Sequence, residues 1–161
     1  LSQSHPFELE SPSFPHEIDH MLKELNDYNK NNITSTVPVY LCSDISHGIA
    51  DFNKKIVHSN YDLFLHSIPW MAEFHIKNTD ALYNSTFGFS TEQERKRGIV
   101  NLELLSQIID ENQKRFPVKD VIGYVEIGGP KLGRDYSDRE LEVQLRYSIN
   151  YIQNKLRCLQ R

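Results

Sequence analysis

The chain has 161 residues, 39% hydrophobic and 25% charged, the composition of an ordinary folded domain, and one domain spanning residues 1–161 is the expectation. Its net charge of −4 argues against the basic stripe that a general nucleic-acid binder carries. No apolar run approaches the roughly 18 residues a membrane span needs, so neither nucleic acid nor membrane is expected as a partner.

Residues 15–29 read as a helix, because Ile18, Met21, Leu22, Leu25 and Tyr28 recur at helical spacing and Asn31 and Asn32 follow. Residues 37–42 form a short β-rich apolar run that ends at Asp44. Residues 48–57 read as a second helix with Ile49, Phe52 and Ile56 on one face. Residues 61–65 fit either a short helix or an extended piece, closed by Pro69, and Trp70 is expected in core or rim packing. Residues 72–77 read as a second strand.

A long polar and aromatic loop spans 79–90. Loops of that length in compact domains usually carry function. Phe87 and Phe89 are candidates to wall a substrate site, and Asn84, Ser85 and Thr86 to bind hydroxyls; a self-packed loop is the competing reading. Thr91 with Glu94 three residues on is a capping box for a helix whose buried face holds Ile99, Leu102, Leu105 and Ile109, with Gly98 a candidate interruption. Residues 121–127 read as a third strand, followed by Gly128-Gly129-Pro130-Lys131-Leu132-Gly133-Arg134. Ser137 with Glu140 caps a last helix lined by Leu141, Leu145, Ile149, Ile152 and Leu156. Strands alternating with helices predict an α/β fold with a parallel sheet.

Functional groups in parallel α/β folds sit at strand C-termini. Here the three strands end near Asp44, His75 and Glu126. Neighbouring strands would bring the three together as a mixed oxygen and nitrogen set that suits Mn, Mg, Co or Zn. Asp44 alone also fits a helix cap, and His75 a satisfied core histidine. Glu126, between Val125 and Ile127, is costly to bury unless paired or metal-bound. His47 follows Asp44 as a candidate catalytic group or a plain surface histidine, while Lys77 and Asn78 follow His75 as candidate substrate-binding groups. Lys131 and Arg134, in the glycine-rich loop, fit a grip on a phosphate or carboxylate, or equally a turn whose cations pair with Asp135 or Asp138.

Three segments carry a resemblance. Leu41-Cys42-Ser43-Asp44-Ile45-Ser46-His47-Gly48 resembles the Asp-x-x-His segment of the xylose isomerase-like barrel enzymes. Phe74-His75-Ile76-Lys77-Asn78-Thr79-Asp80 resembles their His-x-Lys-Asn-Asp segment, and Tyr124-Val125-Glu126-Ile127 their last strand. The resemblance runs from about residue 15 onward. It implies a parallel (β/α) barrel of TIM type, present here as a partial barrel of roughly the last three strands and their helices. It also implies a sugar or sugar-phosphate isomerase or epimerase, with a keto-sugar or keto-cyclitol dehydratase or an inactive half-barrel as alternatives. Asp44, His75 and Glu126 would bind a divalent metal, His47 would hold a substrate hydroxyl, and Glu126 would also move protons. The second acid/base belongs on an earlier strand, where Glu8 is the nearest candidate. A whole barrel takes roughly 250 residues, and this chain begins with Leu1. A missing N-terminal half or a homo-oligomer is therefore expected to complete it. Two cysteines, Cys42 and Cys158, are too few for a disulfide scaffold and are expected reduced, which points to the cytoplasm.

Overall fold

The computed structural model describes residues 13–80, 86–127 and 139–156. Helix α1 (Pro15–Asn31) starts where Pro15 can occupy the first turn without wasting an N–H. Glu17 reaches back to accept hydrogen bonds from the backbone N–H groups of Ser13 and Phe14, at 2.9 and 3.0 Å. Ile18 and Leu22 bury the predicted stripe against Leu41 and Trp70. Trp70 also donates its indole N–H to Asp19 Oδ1 at 2.8 Å.

Strand β1 (Leu41–Asp44) begins later than the apolar run suggests. The reason lies in α1. Asn26 donates to the carbonyl of Val39 at 2.9 Å and accepts from its N–H at 3.0 Å, so a side chain takes the place of a neighbouring strand there.

The expected helix over 48–57 is instead a β-hairpin, β2 (Ile49–Ala50) and β3 (Ile56–His58), paired antiparallel. Local turn chemistry overrides the helical spacing. Asp51 Oδ1 accepts from the N–H groups of Asn53 and Lys55, both at 2.9 Å. Lys54 sits at φ 64°, outside any helix. Phe52 is fully exposed, so the apolar face inferred from spacing is never formed.

Helix α2 (Asn60–Ser67) resolves the ambiguous segment. Ser59 caps it by accepting from the Asp62 N–H, and Asp62 returns the bond to Ser59. A 3₁₀ turn containing Pro69 (Ile68–Trp70) leads into β4 (Met71–Ile76).

The predicted capping box is present: Thr91 Oγ1 accepts from the Glu94 N–H, and Glu94 Oε2 from the Thr91 N–H, both at 3.2 Å. The helix it opens, α3 (Glu92–Arg97), stops at Gly98. A new helix, α4 (Leu102–Glu111), starts with Asn101 accepting from the Leu104 N–H at 3.0 Å. Between them the chain runs extended along the end of β4: the Ile99 N–H donates to the Thr79 carbonyl at 2.8 Å, and the Val100 N–H to Asn78 Oδ1 at 3.2 Å. Val100 is buried there, and Ile99, expected in the core, is exposed. Strand β5 (Ile122–Val125) and helix α5 (Arg139–Lys155) complete the described elements.

The three longer strands form one parallel sheet in the order β1-β4-β5. Side chains alternate across a strand, so Phe74 and Ile76 point one way and Glu73 and His75 the other. The Phe74 face is apolar. It packs with Phe64, Leu105, Ile109 and Ile152 from α2, α4 and α5, and Phe64 meets Phe74 edge-to-face at 5.3 Å. Phe89, expected beside a substrate, is part of this core instead. Mixed α/β architecture with a parallel sheet is therefore the fold. None of the described helices is long and apolar enough to cross a membrane.

A methyl group on Gly98 would overlap the buried Asn78 carboxamide. Gly98→Ala is expected to destabilise the chain by about 1–3 kcal/mol, the usual cost of overpacking, read as a lower urea midpoint. An unchanged midpoint would show that this close approach is relaxed at little cost.

Candidate metal centre

Register decides what meets what. Asp44 is the direct partner of His75, and His75 that of Tyr124. The ladder continues past β5, where the Glu126 N–H donates to the Ile76 carbonyl at 3.1 Å. On the β1 side the Ile45 N–H donates to the His75 carbonyl at 3.3 Å. His75, Lys77, Tyr124 and Glu126 share one strand parity with Asp44, so all five rise from the face opposite the apolar core.

One ligand atom from each of Asp44, His75 and Glu126 lies within 4.8 Å of the others. Metal–ligand bonds of about 2.0–2.2 Å put ligand atoms roughly 3–4.4 Å apart around a shared ion. Closing on an ion therefore needs movements of well under an ångström to about one ångström, within the reach of side-chain torsions. Two carboxylates and an imidazole fit Mg, Mn, Co or Zn by donor chemistry. Residues 44 and 75 lie far inside the separation of about 8 Å beyond which ligand bonds of about 2.0–2.3 Å could not be shared.

Asp44 is 2% exposed. Its Oδ1 accepts from the Ser46 N–H at 2.7 Å, which fixes the carboxylate in a tight turn rather than at a helix start. Its Oδ2 lies 3.4 Å from His47 Nε2, so His47 stands beside Asp44. Glu126 is held on both oxygens. His75 Nδ1 is 3.1 Å from Oε2, and the Lys77 ammonium is 3.4 Å from Oε1. Lys77 is only 5% exposed, while Glu126 and His75 remain open on one side.

Asn78, expected as a substrate group, lies elsewhere. It is wholly buried, donating to the Glu94 carbonyl at 3.1 Å and accepting from the Val100 N–H. Its hydrogen bonds hold the crossing of the 98–100 segment over the end of β4. Glu8, Lys131 and Arg134 lie outside the described residues, as do Asn84, Ser85, Ser137 and Cys158.

Sequence reasoning passed over Glu73 and Tyr124. Both have the parity of His75 and Glu126, and that period-two signal was available. Tyr124 lies edge-on to His75, with ring centroids 6.3 Å apart at 89°. Its hydroxyl is 3.5 Å from Glu73 Oε1. Cys42, on the same face, is an unbridged, half-buried thiol. Burial first, then the Glu73 charge, raises its pKa above the ordinary thiol range.

A separate groove of about 970 Å³ opens on the apolar side of the sheet, between β5 and the Leu145, Ile149 and Ile152 face of α5. Its lining mixes aliphatic side chains with Gln113, Lys114, Lys119, Asp120 and Gln153, so it brings one carboxylate rather than a set of ligands together. No protein-family model matches the chain, and no curated protein matches it.

Lys77 puts a nearly buried positive charge beside one prospective ligand. At an effective dielectric near 20, a unit charge and a divalent ion about 5 Å apart repel by roughly 6 kcal/mol before screening. Lys77→Met is therefore expected to raise Co²⁺ affinity about tenfold or more by calorimetry. Equal or weaker binding would show that Lys77 serves chiefly to orient Glu126.

Proposed function

We propose that this chain supplies the metal-binding strand ends of a TIM-type barrel enzyme, an isomerase or epimerase of a sugar or sugar phosphate. The observation that carries the reading is the convergence of Asp44, His75 and Glu126 from three adjacent parallel strands to within 4.8 Å. Chance pairs of exposed acids are common. An aspartate buried to 2% that meets a histidine and a glutamate at consecutive strand ends is a more demanding arrangement. It also follows the segment order on which the resemblance to xylose isomerase-like enzymes rests.

A divalent ion held there would polarise a substrate carbonyl or hydroxyl oxygen. The protein's own groups have separable tasks. Asp44, fixed by the Ser46 N–H, supplies an anchored ligand, and His47 beside it reaches a substrate hydroxyl. Glu126 takes a proton from the carbon next to the carbonyl, whose oxygen accepts the electron pair. The proton then goes to the former carbonyl carbon in an isomerisation, or one is supplied to the opposite face of the same carbon by the partner acid/base in an epimerisation. The Lys77 ammonium, 3.4 Å from Glu126, offers a donor to a substrate oxygen that becomes negative. The partner acid/base on the opposite side of the substrate is assigned to Glu8. Lys131 and Arg134 are assigned to a phosphate or carboxylate of the substrate.

The open sides of Glu126 and His75 favour a second reading for the chain alone, in which it binds an ion without turnover until further strands cover the site. Those strands would come from a longer chain or from another copy.

One experiment separates these readings. Mn²⁺ and Co²⁺ binding is measured by calorimetry on the chain and on Asp44→Asn, His75→Ala and Glu126→Gln, with ketoses and their phosphates then incubated in D₂O and followed by NMR. One ion per chain, weakened at least tenfold by each substitution, with deuterium entering beside the carbonyl, is the expected result. Binding without exchange supports the second reading. No binding by the folded chain would overturn the metal centre.

A further inference from the structure

Tyr124 is 47% exposed, too open to be a core residue, yet its ring is placed with care. It is the direct cross-strand partner of His75. Its ring stands perpendicular to the imidazole at 6.3 Å, the geometry in which a ring edge meets a ring face. Its hydroxyl reaches 3.5 Å from the carboxylate of Glu73, which stands two residues before His75 on the same strand and the same face. Tyr124 thus reaches from β5 across to Glu73 on β4, on the N-terminal side of the imidazole. On the upper side, His75 Nδ1 meets Glu126 at 3.1 Å. A half-exposed histidine on a strand has several side-chain rotamers open to it, and these two contacts select one.

We propose that Tyr124 is a positioning residue for His75: its ring, steadied by Glu73, holds the imidazole with Nδ1 turned toward Glu126, the arrangement in which His75, Glu126 and Asp44 each bring one ligand atom within 4.8 Å of the others. The inference rests on the metal-centre reading, but its geometric core concerns the imidazole alone and is testable without an ion. The ring carries the effect, since it is the ring that closes off the alternative rotamers. The hydroxyl contact to Glu73, long at 3.5 Å, adds a smaller restraint. Ligands that are held by surrounding groups lose less freedom on binding an ion, and removal of such groups typically costs about 10–100-fold in metal affinity.

The test uses the whole chain with Tyr124→Leu, Tyr124→Phe and Glu73→Gln. Because Tyr124 is half exposed, Tyr124→Leu is expected to leave the urea midpoint nearly unchanged, which separates positioning from folding. Two readouts follow. In the metal-free chain, ¹H–¹⁵N correlation spectra of the imidazole are expected to change for Tyr124→Leu, with the Nδ1 signal losing its hydrogen-bonded shift, and to stay near wild type for Tyr124→Phe. With Co²⁺, Tyr124→Leu is expected to lower affinity about tenfold and to alter the visible d–d spectrum, while Tyr124→Phe and Glu73→Gln change affinity about threefold or less. Wild-type imidazole signals in Tyr124→Leu would overturn the proposal, and so would unchanged Co²⁺ affinity and spectrum. If the wild-type chain binds no Co²⁺ but Tyr124→Leu still frees the imidazole, the metal-centre reading fails while the positioning role stands.

Discussion

Parallel, in-register pairing of β1, β4 and β5 is the constraint on which the site depends. In a parallel sheet every strand ends at the same side, so groups at consecutive strand ends become neighbours although many residues separate them in sequence. Asp44 and His75 are direct partners, and Glu126 follows one step beyond Tyr124 on the next strand. A shift of one residue in either pairing would turn a ligand into the aliphatic core. The apolar packing of Phe74 and Ile76 beneath α4 and α5 therefore does more than stabilise the sheet: it fixes which side chains are left for the polar face.

That face is uneven in its exposure. Asp44 and Lys77 are shut in by the turns around them, whereas Glu73, His75, Tyr124 and Glu126 are partly or largely open. The charges divide accordingly. The enclosed aspartate has its geometry set by a backbone N–H, while the open glutamate takes its place between an imidazole and an ammonium. A rigid carboxylate on one side and an adjustable one on the other would leave room for a small closure around an ion.

Much of this was legible in the residues. Helical spacing located α1, the Thr91–Glu94 pair located α3, and the three parallel strands were found as short apolar runs carrying Asp44, His75 and Glu126 at or near their ends. The misreadings share one cause: a short backbone device outweighed side-chain spacing. Ile49, Phe52 and Ile56 have helical separation, but Asp51 folds the chain back on itself with its own carboxylate. Gly98 was seen as a weak point, though not as the place where Asn78 captures the backbone and starts a new helix. Asn78 itself was misplaced because its partners are backbone groups of residues 94 and 100, which no sequence pattern announces. Tyr124 and Glu73 share the strand parity of Glu126 and His75, but the sequence argument rested on strand ends, and both residues lie earlier in their strands.

Among the described residues, helices pack against one face of the sheet only, which has a consequence for electrical behaviour. Water on the open side of Glu126 and His75 keeps the local dielectric high, and attraction between opposite charges weakens in proportion. Anything that covered that face would strengthen every charge interaction in the centre at once, without a single ligand changing. The strength with which the strand ends would hold a cation is thus a gauge of enclosure, reading from inside the sheet how completely its polar surface has been shielded from solvent.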